Sequence, residues 1–308
     1  MTATTFPPPG PTTARPPAAP DAPLQPAPLL VATDLSEAAA PAARFAHDLA
    51  QRWARGVVAA HIVELGFESW WRARYEVLVD AARMAEAQAR VRDWYAAAAG
   101  APPDRVALKV DHCVEGLVAA AVEAAAALLV MTTTGKGALA QAVVGSRLLA
   151  LAARPPCPLA VVPRVVVPLP AVPRIAVGVD FSPASGATLA FAEQLASALG
   201  AELCVVHGFA PPDTPALPSL FAGAEESVRL EAAAALDALA VHHPHTRRAL
   251  VPGKGPDALL AYVRAEHVDL VVVGSTGHRG LLGEGLGSTP RALIRHLPVP
   301  VVVVPPGS

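Results

Sequence analysis

Short apolar runs alternate along the chain with longer, alanine-rich stretches in which polar positions recur. The first run covers residues 29–33, ends at Asp34 and leads into a stretch with helical spacing. A short apolar run bounded by turn-forming residues is typical of a strand buried on both faces of a parallel sheet. The pattern therefore predicts a strand, a tight turn and a helix as the first structural unit.

The second half of the chain repeats this pattern. Its first run, 175–179, ends at Asp180, and Ser182 and Pro183 then provide an N-cap and a first helical residue. The predicted strands are 29–33, 57–61, 106–110, 128–131 and 159–162, and then 175–179, 203–207, 247–251, 270–273 and 299–304. Strands that alternate with helices at this spacing predict right-handed parallel crossovers, and so a doubly wound α/β sheet in each half.

The length of 308 residues is sufficient for two domains. We expect a disordered tail rich in Pro and Ala over 1–27, a first domain over 28–165 and a second domain over 172–306. We expect the two domains to pack face to face. The last strand would then pair with strand 159–162 across their interface.

Composition restricts the class of protein. Apolar residues make up 53% of the chain, but charged residues and prolines interrupt every long apolar stretch, so we expect no membrane-spanning helix. The net charge of -2 provides no basic field for DNA or RNA. The three cysteines lack the spacing of metal ligands or disulfides, and the N-terminus lacks a signal sequence. We therefore expect a cytoplasmic protein with reduced thiols and no metal site built from its side chains.

Candidate chemistry follows the fourth strand of the second half. Gly274 and Gly277 are followed, after nine residues, by Gly287 and Ser288. In an open parallel sheet, ligands bind beyond the carboxyl ends of the strands, which is where this loop and Asp180 both lie. Glycines let the backbone approach phosphate oxygens, and amides at the start of a helix attract anions. The spacing predicts a nucleotide site, although glycines also serve turns and helix caps.

This spacing, GxxG followed by nine residues and GS, resembles the ATP-binding subgroup of the universal stress protein family, and the order of elements agrees over nearly all of both halves. The resemblance implies two tandem domains, each with a five-stranded parallel sheet of order 3-2-1-4-5 flanked by helices. It also implies that ATP is bound by Asp180, Gly208, Gly253, Gly274, Gly277, Gly287 and Ser288. Because few basic side chains surround this motif, we expect Mg²⁺ to accompany the phosphates.

The first half keeps only part of the motif. Its corresponding residues are Asp34, Gly135, Gly145 and Ser146. Thr132 replaces the first glycine, and Asp111 stands in place of Gly253, where a carboxylate facing the crevice would repel phosphate. Two interpretations stay open for this half: a second nucleotide site, or a degenerate packing partner.

Three functions agree with these patterns. The first is a cytoplasmic stress-response protein that binds ATP mainly in the second domain and acts as a nucleotide-dependent regulatory or binding module. The second is a slow ATP-hydrolysing or nucleotidyl-transferring enzyme, and the third is a ligand-free dimerisation module. Spacing indicates no general base, so we assign no catalytic residue and expect at most weak ATPase activity. The expected partners are an adenine nucleotide and the other domain of the chain, with a homo-oligomer left open.

Overall fold

The computed structural model describes residues 26–64, 81–133, 145–210, 224–242, 246–277 and 285–307. Within these ranges the chain forms ten strands and eight α-helices in two consecutive halves. The first half contains β1 (Leu29–Thr33), α1 (Ala40–Arg52), β2 (Val57–Val63), α2 (Ala81–Ala99), β3 (Arg105–Val110), α3 (Cys113–Glu123), β4 (Leu128–Thr132), α4 (Ser146–Ala153) and β5 (Leu159–Val162). The second half contains β6 (Arg174–Gly178), α5 (Pro183–Leu199), β7 (Glu202–Phe209), α6 (Ala224–His242), β8 (Arg247–Pro252), α7 (Gly255–Ala265), β9 (Leu270–Gly274), α8 (Ser288–His296) and β10 (Val301–Val304).

The ten strands form one sheet with the order β3-β2-β1-β4-β5-β10-β9-β6-β7-β8. Each half contributes five parallel strands in the predicted order 3-2-1-4-5. The halves meet where β5 and β10 pair antiparallel, with Val301 opposite Val161 and Val303 opposite Leu159.

The predicted pairing of the last strand is therefore confirmed, but face-to-face packing of the halves is wrong, because they join edge to edge. The physical reason lies in the edges themselves. The last strand of each half exposes a row of backbone N–H and C=O groups, and pairing the two edges satisfies both rows.

The sheet buries a hydrophobic core on each face, because successive side chains of a strand point to opposite sides. Helices α1, α2, α5 and α6 cover one face, and helices α3, α4, α7 and α8 cover the other. Both cores continue through both halves. On the first face, the rings of Trp53 from α1 and Phe191 from α5 meet edge-on, with centroids 6.1 Å apart. The two halves thus share side-chain packing as well as backbone pairing.

The connection between the halves is fixed to the end of α1. Arg52 donates hydrogen bonds to the carbonyl oxygens of Leu169, at 2.7 Å, and Pro170, at 2.6 Å. Leu169 is itself buried in the first core. In the part of the chain that the structure describes, no helix is long and apolar enough to cross a membrane.

Candidate functional site

A crevice of about 1080 Å³ opens at the carboxyl ends of β6, β7 and β9. Strands β6 and β9 are neighbours, yet the chain leaves β6 for α5 on one face and leaves β9 for α8 on the other. Such a switch point is where open α/β sheets bind ligands. The N-termini of α5, α7 and α8 all border the crevice. Their amides and the positive ends of their dipoles make it favourable for an anion.

The structure brings most of the residues predicted for the second half into this crevice. Its lining includes Asp180, Gly208, Gly274, Gly277, Gly287 and Ser288. Gly253 is not among the described lining residues. It adopts a φ of +121° in the turn after β8, and its N–H donates to the carbonyl of Phe209 at 2.7 Å. The next residues, Lys254 and Gly255, line the crevice instead.

Asp180 is held in the turn between β6 and α5. Its Oδ1 accepts hydrogen bonds from the N–H of Ser182, at 3.0 Å, and from the hydroxyl of Ser185, at 2.9 Å. Phe181 adopts a φ of +58°, in the left-handed region that costs roughly 1–2 kcal/mol for a side chain of this kind. A Cβ on Gly277 would lie closer than 3.0 Å to Oδ2 of Asp180. The loop after β9 therefore lies close against the carboxylate in the turn after β6.

The end of β7 is fixed beside the same turn. The Nδ1 atom of His207 lies 2.8 Å from the carbonyl oxygen of Val179, and the His207 ring packs on Phe181 with centroids 4.4 Å apart. Gly208 follows, and a Cβ there would lie 2.7 Å from the Cβ of Ala258 in α7. The glycine thus lets α7 approach the strand and leaves this side of the crevice free of a side chain.

The loop after β9 closes on the start of α8. The N–H of Gly287 donates to the carbonyl of Ser275 at 2.9 Å, and a Cβ on Gly287 would lie 3.2 Å from that oxygen. Gly287 is the N-cap of α8 and, as a glycine, has no side chain of its own to cap this helix end. Its first amides are therefore directed at the crevice border. Residues 278–284 lie outside the described residues.

The described lining carries few charges. Lys254 is its one basic residue, and Asp180 and Asp257 are its carboxylates. Across the described ranges, no group of three or more His, Cys, Asp or Glu side chains is placed to hold a metal ion. A polyanionic ligand would therefore depend mainly on backbone amides and a cation of its own.

Sequence reasoning missed several hydroxyl groups of the crevice. Ser185, Thr188 and Thr289 all line it. Ser185 and Thr188 lie in the first and second turns of α5. A Ser or Thr soon after the aspartate at the strand end was the sequence signal that could have indicated them. Thr289 follows Ser288 directly, so the same GS motif contained the signal.

The first half repeats the turn geometry. Leu35 has a φ of +63°, and Oδ1 of Asp34 accepts from the N–H of Ser36 at 2.9 Å. The Nδ1 atom of His61 lies 2.8 Å from the carbonyl of Thr33, which matches the contact of His207. Gly145 is the N-cap of α4 and Ser146 its first residue, whereas Gly135 lies outside the described residues. Oδ1 of Asp111 accepts from the N–H of His112 at 2.8 Å at an exposed position.

Comparisons with known proteins agree with this architecture. The model of the universal stress protein family matches residues 27–163 and 172–305. A universal stress protein of Mycobacterium tuberculosis is 34% identical over 181 residues, which cover 58% of this chain and 61% of the relative. This chain therefore spans only part of that relative's length.

Solved structures show the same fold. A universal stress protein from Archaeoglobus fulgidus has a TM-score of 0.64 at 19% identity, covering 92% of this chain and 100% of its own. A functionally unknown protein from Pseudomonas aeruginosa has a TM-score of 0.64 at 15% identity, covering 91% of this chain and 92% of its own. At these identities the likeness concerns the fold alone.

Proposed function

Since the chain belongs to the universal stress protein family and carries two of its domains in tandem, we propose that it binds ATP in the crevice of its second half. The observation that carries this proposal is the convergence of three helix N-termini and the Gly274–Gly277 loop on one cavity of about 1080 Å³. Small-molecule sites commonly have volumes of roughly 300–1,000 Å³. The crevice is thus large enough for a nucleotide and has the polarity that phosphates require.

Each part of the nucleotide has a place in this proposal. The phosphates lie against Gly274, Gly277, Gly287 and Ser288, where the amides of α8 donate hydrogen bonds. The carboxylate of Asp180 contacts the ribose or the base. Gly208 borders the adenine. These assignments follow the family resemblance residue by residue, and the crevice lining agrees with them.

Magnesium accompanies the ATP in this proposal. Lys254 is the one basic residue of the described lining, which also contains two carboxylates. A triphosphate bound there needs another cation to neutralise its charge, and Mg²⁺ is usually held by substrate phosphates together with one or two carboxylates. Asp180 and Asp257 are the two carboxylates of the described crevice lining.

The protein then acts as a nucleotide-dependent regulatory or binding module of a cytoplasmic stress response. Helix α5 supports this role, because it carries Ser185 at the crevice and Phe191 at the contact with Trp53 of the first half. Nucleotide occupancy can therefore change the packing between the halves. No side chain is assigned as a general base, so the role is binding rather than turnover.

The proposal is tested by mass spectrometry of the purified protein for bound nucleotide, followed by calorimetric titration with ATP and Mg²⁺. We expect one tight site per chain. Gly287→Val should abolish it, because even a Cβ at this position meets the carbonyl of Ser275 at 3.2 Å. Gly145→Val is the matched control at the equivalent N-cap, where a Cβ meets no atom of the described residues within 4 Å. Absence of nucleotide and of any binding heat would contradict the proposal, as would loss of binding in Gly145→Val alone.

A further inference from the structure

The two halves differ at a set of positions that line the crevice of the second half. Strands β1 and β2 pair in the same register as β6 and β7, and the helices that follow begin at equivalent residues. In the second half four of these positions hold small residues, all of them lining the crevice. The equivalent pairs, first half and second half, are Ile62 and Gly208, Glu64 and Ala210, Cys113 and Gly255, and Arg147 and Thr289.

The first half has the side chain of Ile62 at the position where the second half has Gly208. Atoms Cγ2 and Cδ1 of Ile62 lie 3.0 Å from the position that a Cβ on Gly116 of α3 would take. In the second half the pair is reversed, with Gly208 on the strand and Ala258 on the helix. The isoleucine is buried, so its side chain occupies the space between strand and helix. The small residue is on the helix in the first half and on the strand in the second half. The first half therefore has a large side chain at the position where Gly208 lines the crevice of the second half.

The carboxylate of Glu64 joins the starts of two helices. Its Oε1 accepts a hydrogen bond from the N–H of Cys113, the first residue of α3, at 3.3 Å. Its Oε2 lies 2.7 Å from Nη2 of Arg147, in the first turn of α4. A negative group at a helix N-terminus is stabilised by the dipole, as an anionic ligand would be. Glu64 thus places a carboxylate between the starts of α3 and α4. The equivalent helices of the second half, α7 and α8, begin at the open crevice.

We infer that the first half is closed to nucleotides by its own side chains. The carboxylate of Glu64 takes the place of an anionic ligand at the helix starts, and Ile62 occupies the position equivalent to Gly208, which borders the adenine in the proposed site. This inference rests on the proposed function, because the second half supplies the reference for an open crevice. It assigns the difference in binding between the halves to residues outside the glycine motif.

The first test gives the first half the residues that line the crevice of the second half. Five substitutions transfer the second-half residues and preserve the strand–helix packing: Ile62→Gly, Gly116→Ala, Glu64→Ala, Cys113→Gly and Arg147→Thr. In calorimetric titration with ATP and Mg²⁺, the wild type should bind one nucleotide per chain and the folded variant two. A wild type that binds two, or a folded variant that still binds one, would overturn the inference.

The second test does not depend on nucleotide. Burial and, next, the charge of Glu64 raise the pKa of the Cys113 thiol, whereas Arg147 lowers it. Glu64→Ala should therefore uncover Cys113 and increase its thiolate fraction, so that it reacts with an aromatic disulfide reagent about threefold faster or more. Peptide mapping follows Cys157 and Cys204 as internal controls with unchanged rates.

These outcomes separate the inference from the proposed function. An unchanged Cys113 rate would show that Glu64 does not cover the helix starts, and would overturn the inference even if the second half binds ATP. A faster rate in a protein that binds no nucleotide would support the closure of the first half and reject only the ATP proposal. Glu64→Gln, which removes the charge and keeps most of the side chain, should give an intermediate rate.

Discussion

Replacing Gly277 by alanine should weaken nucleotide binding by displacing the carboxylate of Asp180. A Cβ at this position would lie closer than 3.0 Å to Oδ2 and 3.4 Å from Cγ of Asp180. The backbone of Gly277 is outside the left-handed region, so alanine adds no conformational strain there. The carboxylate cannot move freely, because Ser182 and Ser185 both donate to its Oδ1. The carboxylate must therefore either break these hydrogen bonds or move from its position in the crevice.

The size of the effect follows from the contact that is lost. A hydrogen bond to a charged group contributes about 1.5–3 kcal/mol, which corresponds to roughly 10- to 150-fold in affinity. Asp180→Ala removes the same group directly. The double variant of Gly277 and Asp180 should therefore bind no more weakly than Asp180→Ala alone, which is the non-additivity expected of two changes that act on one contact.

Calorimetric titration with ATP and Mg²⁺ measures these affinities, and circular dichroism checks that each variant is folded. Gly285→Ala is the matched control, because Gly285 lines the same crevice but a Cβ there has no neighbour within 4 Å in the part of the chain that the structure describes. Wild-type affinity in Gly277→Ala would refute the reasoning. Additive losses in the double variant would show that Gly277 acts on the ligand without Asp180.

Three further results are expected. Complete metal removal with EDTA should weaken ATP binding, because the described lining has a single basic residue; unchanged affinity in calorimetry would argue against a bridging Mg²⁺. ATP turnover, measured as phosphate release, should stay well below about 1 per second, since holding a ground state does not accelerate chemistry. Burial raises the pKa of Cys157 to about 11 from an ordinary value of 9.0. Its protonated form therefore stabilises the fold below pH 9, and roughly 1–3 kcal/mol of that stability should be lost between pH 9 and pH 11. Chemical unfolding of Cys157→Ala should depend less steeply on pH over this range.

The strands could be predicted closely from the sequence. All ten occur in the structure, each within two residues of its predicted ends. The reason is that strands buried on both faces consist of continuous apolar runs, which end where the chain reaches the sheet border. The pairing of β5 with β10 was also expected, but neither its antiparallel direction nor its consequence for the whole molecule was. Pairing of the two edge strands joins both sheets into one continuous sheet. The sequence pattern predicts the strands but does not show the angle between two sheets.

The contacts that shape the crevice were less predictable. Glycine spacing placed the loop after β9 correctly at the crevice, because it depends only on the end of a strand and the start of a helix. Gly253 lies one residue before the chain reaches the lining, which begins again at Lys254. That offset depends on where α7 begins against β7, and tertiary packing of Ala258 against Gly208 decides it. The hydrogen bond from the Ser185 hydroxyl to Asp180 was equally hard to predict, because it depends on the left-handed conformation of Phe181.

The closed first half also explains why the second half is open. Strand β5 covers the edge of β10, whose four valines are all buried, and Trp53 packs on Phe191 in the helix that begins at the crevice. A half that supplies an edge and a core surface needs dense packing, which the buried side chain of Ile62 provides between β2 and α3. A ligand site needs the opposite, since unfilled space and uncapped helix ends cost stability until the ligand is bound. In a tandem chain the two requirements can be met by different halves, so that a rigid first half supports the crevice of the second.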